Sequence, residues 1–200
     1  MLVNQTLPLR AKTPERHAQY ASQILVSARR MSHMINDILE LARVRLGSGI
    51  VIQPAPTCIR QICESVVEEM QAVFPKRAFQ LKGDDELPGE WDENRLNQMV
   101  SNLVGNALRY TPGGGRVDVS CGSKDGHAFL EVADTGPGIP AEERERVFDR
   151  FYRRGGDGET GSGLGLAIVR TIADRHEAKV SLADSESGGL QVRVVFPRKK

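Results

Sequence analysis

Apolar residues recur at alternating intervals of three and four along residues 14–46. Ala21, Ile24, Ala28, Met31, Ile35, Ile38 and Ala42 form one stripe, which Leu25, Leu39 and Leu46 widen. Thr13 supplies an N-cap and Pro14 a first helical position, so the spacing predicts one long helix. A seam this regular belongs to a helical bundle or coiled coil, and one helix cannot bury its own stripe. A partner helix is therefore expected, and the preceding MLVNQTLPLR is too short to supply one. Gly47, Gly49, Pro54 and Pro56 then break the periodicity. The organisation expected is a bundle helix (residues 1–46), a linker (residues 47–56) and a C-terminal domain (residues 57–200).

Within that domain the patterns alternate in type. Residues 57–74 read as a helix with Ile59, Ile62, Val66, Val67 and Met70 on one face, and Cys58 and Cys63 inside it as small core hydrophobes. A short strand follows at residues 78–82, then the polar loop GDDELPGE. Asp92 caps a helix running to Tyr110, with Leu96, Met99, Val100, Leu103, Val104 and Ala107 on its apolar face. Strands are expected at 116–121 and 128–133, joined by a turn at Lys124-Asp125-Gly126. A short helix at 142–152, a glycine-rich loop at 154–162 and a helix at 163–176 come next, before closing strands at 179–183 and 190–196. Elements that do not alternate strictly point to an α+β domain, with helices layered on a mixed sheet.

Composition adds exclusions. Formal net charge is +1, with 40% hydrophobic and 26% charged residues, an ordinary globular balance without the basic footprint of a nucleic-acid binder. No apolar run reaches membrane-spanning length and no leader pattern opens the chain, so a soluble fragment in the cytoplasm is expected, while a longer parent is free to be membrane-anchored. Three cysteines without paired spacing argue against disulfides and zinc.

Three blocks carry chemistry: NLVGNALRYTP (residues 102–112), DTGPGIP (residues 134–140) and GSGLGLAIV (residues 161–169). Asn102 and Asn106 are four apart and share a helix face. Amides beside an apolar stripe are costly unless used, either by a ligand or in a buried network. Magnesium takes one or two protein oxygens alongside phosphates and waters, a role that suits Asn106, with Arg109 as a phosphate-facing cation. Asp134 ends a strand on a glycine turn, where a flat ring can approach and a carboxylate can accept from an exocyclic amine. An Asx-turn would look the same. GSGLGL opens a helix whose free N–H groups favour phosphate, yet no Lys-Ser/Thr pair makes it a Walker A loop and no strand precedes it as in a Rossmann start.

In order and spacing, the set resembles the ATP-binding catalytic domain of sensor histidine kinases, in the GHKL or Bergerat-fold superfamily, a two-layer α/β sandwich. NLVGNALRYTP is similar to that family's N box, DTGPGIP to its G1 box, VFDRFYRR (residues 147–154) to its F box and GSGLGLAIV to its G2 box. MINDILELARV resembles the second helix of the family's dimerisation and phosphotransfer domain. The resemblance implies that Asn106, helped by Asn102, binds Mg2+, that Arg109 meets phosphate and that Tyr110 covers the adenine. Asp134 would accept from the adenine amine, with Gly136, Gly138 and Ile139 lining the base pocket. Arg153 would reach the γ-phosphate, and Phe148 and Phe151 would anchor the lid. Gly161, Gly163, Leu164 and Gly165, with Leu166 beside them, would close over the phosphates.

The resemblance also separates reactions. ATP-hydrolysing cousins, the type II topoisomerases and heat-shock chaperones, carry a glutamate base where this chain has Asn102, which cannot take a proton. Phosphoryl transfer to histidine is thus expected over hydrolysis, with ATP and Mg2+ as cofactors. The family's acceptor motif, His-Glu/Asp-x-Arg/Lys-Pro, is missing. His17 and His33 have the wrong neighbours, His127 belongs to a hairpin, and His176-Glu177-Ala178-Lys179 follows the G2 helix, where relatives usually have His-Gly-Gly. Leu190 stands where the family often has a small hydroxyl residue. The chain reads as the catalytic part of a two-component kinase truncated within its first bundle helix, unable to phosphorylate itself. Expected partners are a separate phospho-acceptor histidine domain, a response regulator and a second copy through the N-terminal helix, with no nucleic acid and no membrane. The alternatives are a silent ATP-binding or dimerisation module and a GHKL ATPase.

Overall fold

Alternation of apolar and polar residues builds a five-stranded sheet whose one face carries helices. The computed structural model describes Tyr20, Met31 and residues 51–83, 86–153 and 162–197. The chain divides into two units, Met1–Asn36 and Asp37–Lys200. Tyr20 and Met31, in the first, are helical and exposed. The rest of the expected long helix, with its seam, lies outside the described residues.

In the second unit the order is β1 (Ala55–Cys58), α1 (Ile59–Val73), β2 (Ala78–Gly83), β3 (Pro88–Trp91), α2 (Glu93–Tyr110), β4 (Arg116–Lys124) and β5 (His127–Asp134). Two 3-10 turns follow, Ala141–Glu143 and Arg146–Phe148, then α3 (Gly165–Arg175), β6 (Lys179–Asp184) and β7 (Leu190–Val195). The main sheet runs β2-β4-β5-β7-β6, with β2 parallel to β4 and the remaining pairs antiparallel. The expected α+β class with a mixed sheet holds.

Val117, Val119 and Cys121 of β4, Leu130 and Val132 of β5, and Val192 and Val194 of β7 are buried and share one face. α2 crosses that face between α1 and α3, burying Leu96, Met99, Val100, Leu103, Val104, Ala107 and Leu108. Phe196, fully buried, stacks edge-on against Trp91 and His176 and closes one end of the core. The β4–β5 hairpin turns at Asp125 and Gly126, whose φ values of 55° and 77° fit a type I′ turn.

Three expectations need correction. The end of the supposed linker is strand β1, paired antiparallel with β3, which occupies the end of the supposed GDDELPGE loop. Pro56 and Pro88 are tolerated because a two-stranded ladder is all edge. Cys58 therefore ends β1, half-buried, rather than lying in α1. Residues 142–152 form no α-helix: Asp149 N–H bonds to Arg146 O, and Phe151 takes a left-handed φ of 64°. Cys63 is buried as expected, and its thiol is pushed up by Cys121 and by burial, which keeps it protonated and inert.

Candidate functional site

Asp92 begins the site by capping α2: its Oδ1 accepts from Arg95 N–H at 3.1 Å. The helix then presents Asn102 and Asn106 on the side facing the start of α3. A Cβ placed on Gly165 would lie 3.3 Å from Asn106 Nδ2 and 3.6 Å from Asn102 Oδ1. Only a residue without a side chain leaves that space free. Among the described residues no side chain caps α3, whose first N–H groups have no partner within the helix and open next to the two amides.

At the opposite end Asp134 closes β5. The residue is 7% exposed, and its Oδ1 accepts from Gly136 N–H at 2.8 Å and Leu190 N–H at 3.2 Å. Among the described residues Oδ2 has no protein partner, which leaves an acceptor for a ligand. Burial pushes this carboxyl above its ordinary value, and the two N–H groups pull it part of the way back. Between the two ends is a pocket of about 490 Å³, part of it open to solvent. Leu103 and Ala107 of α2, Val132 of β5, Leu166 of α3 and Leu190 and Val192 of β7 make its apolar walls. Asn106, Tyr110, Asp134 and the turn residues Pro137, Gly138 and Ile139 complete the lining. A slot with apolar walls and few polar groups suits a flat heterocycle.

Residues 91–200 match the family described as histidine kinase-, DNA gyrase B-, and HSP90-like ATPase, and residues 1–47 match the His Kinase A (phospho-acceptor) domain. The chain belongs to the histidine kinase-like ATPase family. Sensor protein kinase PmrB of Pseudomonas aeruginosa is 38% identical over 194 residues, covering 95% of this chain and 40% of PmrB. The histidine-protein kinase BaeS of Escherichia coli is 30% identical, covering 94% of this chain and 40% of BaeS. The structure resembles the mycobacterial sensor histidine kinase MprB with a TM-score of 0.64 at 31% identity, over 74% of this chain and 97% of that one. Full-length ShkA in complex with AMPPNP gives a TM-score of 0.72 at 29% identity, over 94% of this chain and 40% of ShkA. The chain thus spans about two fifths of the length of PmrB and BaeS.

This histidine kinase-like ATPase domain gathers most of the residues singled out in the sequence. Asn106, Tyr110, Asp134, Gly138, Ile139 and Leu166 line this pocket, with Asn102 and Gly165 adjoining Asn106 and Gly136 beneath Asp134. Arg109 and Arg153 are not part of the lining; Arg109 is exposed and Arg153 half-buried. Phe148 lies under the Arg170 guanidinium at 4.8 Å, while the buried neighbour is Val147. Phe151 is 59% exposed and is held by its backbone: its N–H donates to Gly163 O at 2.9 Å. Gly163 has φ 70°, and a Cβ there would stand 2.8 Å from Phe151 Cα. Leu164 is buried before α3, and Gly161 lies outside the described residues.

Two contributors escaped the sequence reading. A Cβ on Gly189 would come within 2.2 Å of Asp134 O, so the turn between β6 and β7 packs directly on the carboxylate's backbone. Arg144 donates from Nε to Ile139 O at 3.0 Å and from Nη2 to Asp184 Oδ1, strapping the 134–140 turn to the end of β6. The Gly188-Gly189 pair was a visible turn signal; Arg144 had none. Among the described residues no helix is long and apolar enough to cross a membrane.

Proposed function

We propose that this chain binds ATP with Mg2+ and transfers the γ-phosphoryl group to a histidine supplied from outside its own sequence. The observation that carries this reading is the pairing of a free Asp134 Oδ2 at one end of the pocket with the Asn102–Asn106 amides beside Gly165 at the other. The first suits the exocyclic amine of adenine, the second a cation and its phosphates. Asn106 and Asn102 fit Mg2+ as oxygen donors, and the lack of a side chain at Gly165 keeps the space beside both amides open. When bound, the ion would neutralise phosphate charge as the γ-group leaves.

This chain's own residues would then do little beyond binding and alignment, which is what phosphoryl transfer chiefly needs. Tyr110 and Ile139 hold the base, and the N–H groups that open α3 face the phosphates. Arg109 and Arg153 add positive charge from outside the pocket wall. Among the described residues the one carboxylate lining the pocket is Asp134, whose Oδ1 already accepts from Gly136 and Leu190, so none of them offers a separate general base to activate water. Transfer to an incoming imidazole is favoured over hydrolysis. The partners that follow are a phospho-acceptor histidine domain, a response regulator, and a second copy through residues 14–46.

Labelled ATP, incubated with the protein alone and with a separate histidine-bearing dimerisation domain, provides the test. Acid-labile label on the added domain is expected. No label on it, at concentrations where ATP is bound, rules out the kinase reading. Asn106→Ala should abolish the transfer.

A further inference from the structure

Arg77 stands in the connection between α1 and β2, outside every motif of the sequence. Its guanidinium donates to three main-chain carbonyls: Leu108 at 3.1 Å from Nη2, and Thr111 at 2.9 Å and Pro112 at 2.7 Å from Nη1. These are the orphan acceptors at and just beyond the C-terminus of α2, the negative end of its dipole. Among the described residues no carboxylate competes for the guanidinium. Arg77 is itself pinned to α1, because its N–H donates to Phe74 O at 2.9 Å and its carbonyl accepts from Gln71 Nε2 at 3.2 Å.

The cap brackets Tyr110. The Tyr110 carbonyl lies between those of Leu108 and Thr111 in sequence, and a Cβ on Gly136 would stand 2.8 Å from it. Gly136 N–H in turn donates to Asp134 Oδ1. A chain of direct contacts therefore runs from Arg77 through the end of α2 to the Asp134 turn. Tyr110 and Asp134 both line the pocket.

We infer that Arg77 is a positioning residue for the base end of the nucleotide pocket, holding the last turn of α2 against the Asp134 turn so that Tyr110 and Asp134 engage the same ring. The inference rests on the ATP reading given above. A planar fork is required, since one ammonium cannot span three carbonyls in fixed geometry. The effect should be confined to the base, because Asn102 and Asn106 lie one to two turns earlier on α2.

Titration of the 200-residue protein with adenosine and with Mg–ATP, for wild type, R77M, R77K and N106A, tests this. R77M should weaken both ligands by a similar factor, about tenfold, the equivalent of one lost charge-assisted hydrogen bond. R77K should recover part of that loss, and N106A should weaken Mg–ATP while sparing adenosine. A cooperatively folded R77M protein with wild-type adenosine affinity overturns the inference. Where R77M fails to fold, R77K decides: weakened adenosine binding supports the inference and unchanged binding overturns it. A wild-type protein that binds neither ligand overturns the ATP reading itself, and the role of Arg77 with it.

Discussion

Asp92 donates its main-chain N–H to Nε2 of His176 at 3.2 Å, joining the start of α2 to the end of α3. A backbone N–H can only donate, so Nε2 accepts, and the proton on Nδ1 goes to Ile172 O at 2.8 Å. Both ring nitrogens are engaged and the side chain is buried, which removes His176 as a phosphate acceptor. The Asp92 carboxylate makes the junction three-way, since its Oδ2 accepts from Gln53 N–H at 2.8 Å while Oδ1 caps α2.

Replacing that imidazole leaves a buried donor without a partner. His176→Ala should lower unfolding stability by about 1–3 kcal/mol in urea titrations. Phosphate transfer measured on the folded fraction should be unchanged. Loss of transfer at full folding would show that His176 takes part in the chemistry after all.

Nucleotide binding should depend on pH through Asp134. Folding raises this carboxyl, so the native state favours its protonated form, and the stability it contributes is lost as pH rises through the raised value. Binding has the opposite sign. If Asp134 receives the base amine as proposed, that contact needs the ionised carboxylate, so ATP affinity should fall as pH drops through the same value. Asp134→Asn keeps an acceptor for Gly136 and Leu190 but presents an amide where Oδ2 was. That variant should stay folded, bind ATP more weakly by at least about tenfold, and lose the acid limb of the profile. An identical acid limb in both proteins would place the titrating group elsewhere.

Gly165→Ala separates fold from function. Gly165 is the first residue of α3, where alanine gains over glycine by less than the about 1 kcal/mol of a helix interior, so thermal unfolding should hold steady or rise slightly. The added methyl would press on Asn106 Nδ2 at 3.3 Å and narrow the space beside both amides. Mg–ATP affinity should decline even as the protein becomes no less stable, while adenosine affinity stays constant.

Glu177 adopts φ 57° immediately after His176, a left-handed conformation that L side chains pay for. Glu177→Gly should raise unfolding stability by about 0.5–1 kcal/mol, the local relief reduced by the greater freedom of glycine in the unfolded chain. A destabilised variant would mean that the glutamate side chain makes a compensating contact.

Much of this was legible because it was local. Asp92 followed by the spacing of Leu96, Met99, Val100 and Leu103 specifies α2 without any tertiary information, and Asn102 and Asn106 inherit their placement from it. The hairpin at Asp125-Gly126 was equally plain. β1 and β3 were not, because Pro54, Pro56, Pro88 and Gly89 read as breakers, and only the pairing of two short edges makes them strands. Residues 142–152 carry a helical mix of Glu and Arg, yet the chain turns away at Phe151, whose N–H donates to the carbonyl of the distant Gly163. Arg77 and Arg144 act on backbone carbonyls, and a carbonyl leaves no mark on sequence: every residue has one.

The contact of Gly189 with the backbone of Asp134 also constrains how this domain can diversify. A side chain of any size at position 189 would displace both the carboxylate and the main-chain carbonyl of Asp134, just past the end of the β5–β7 ladder. The shape of the Asp134 turn and the seating of the β6–β7 turn are therefore set together at that position. A changed side chain on the α2 or α3 wall of the pocket carries no such double consequence.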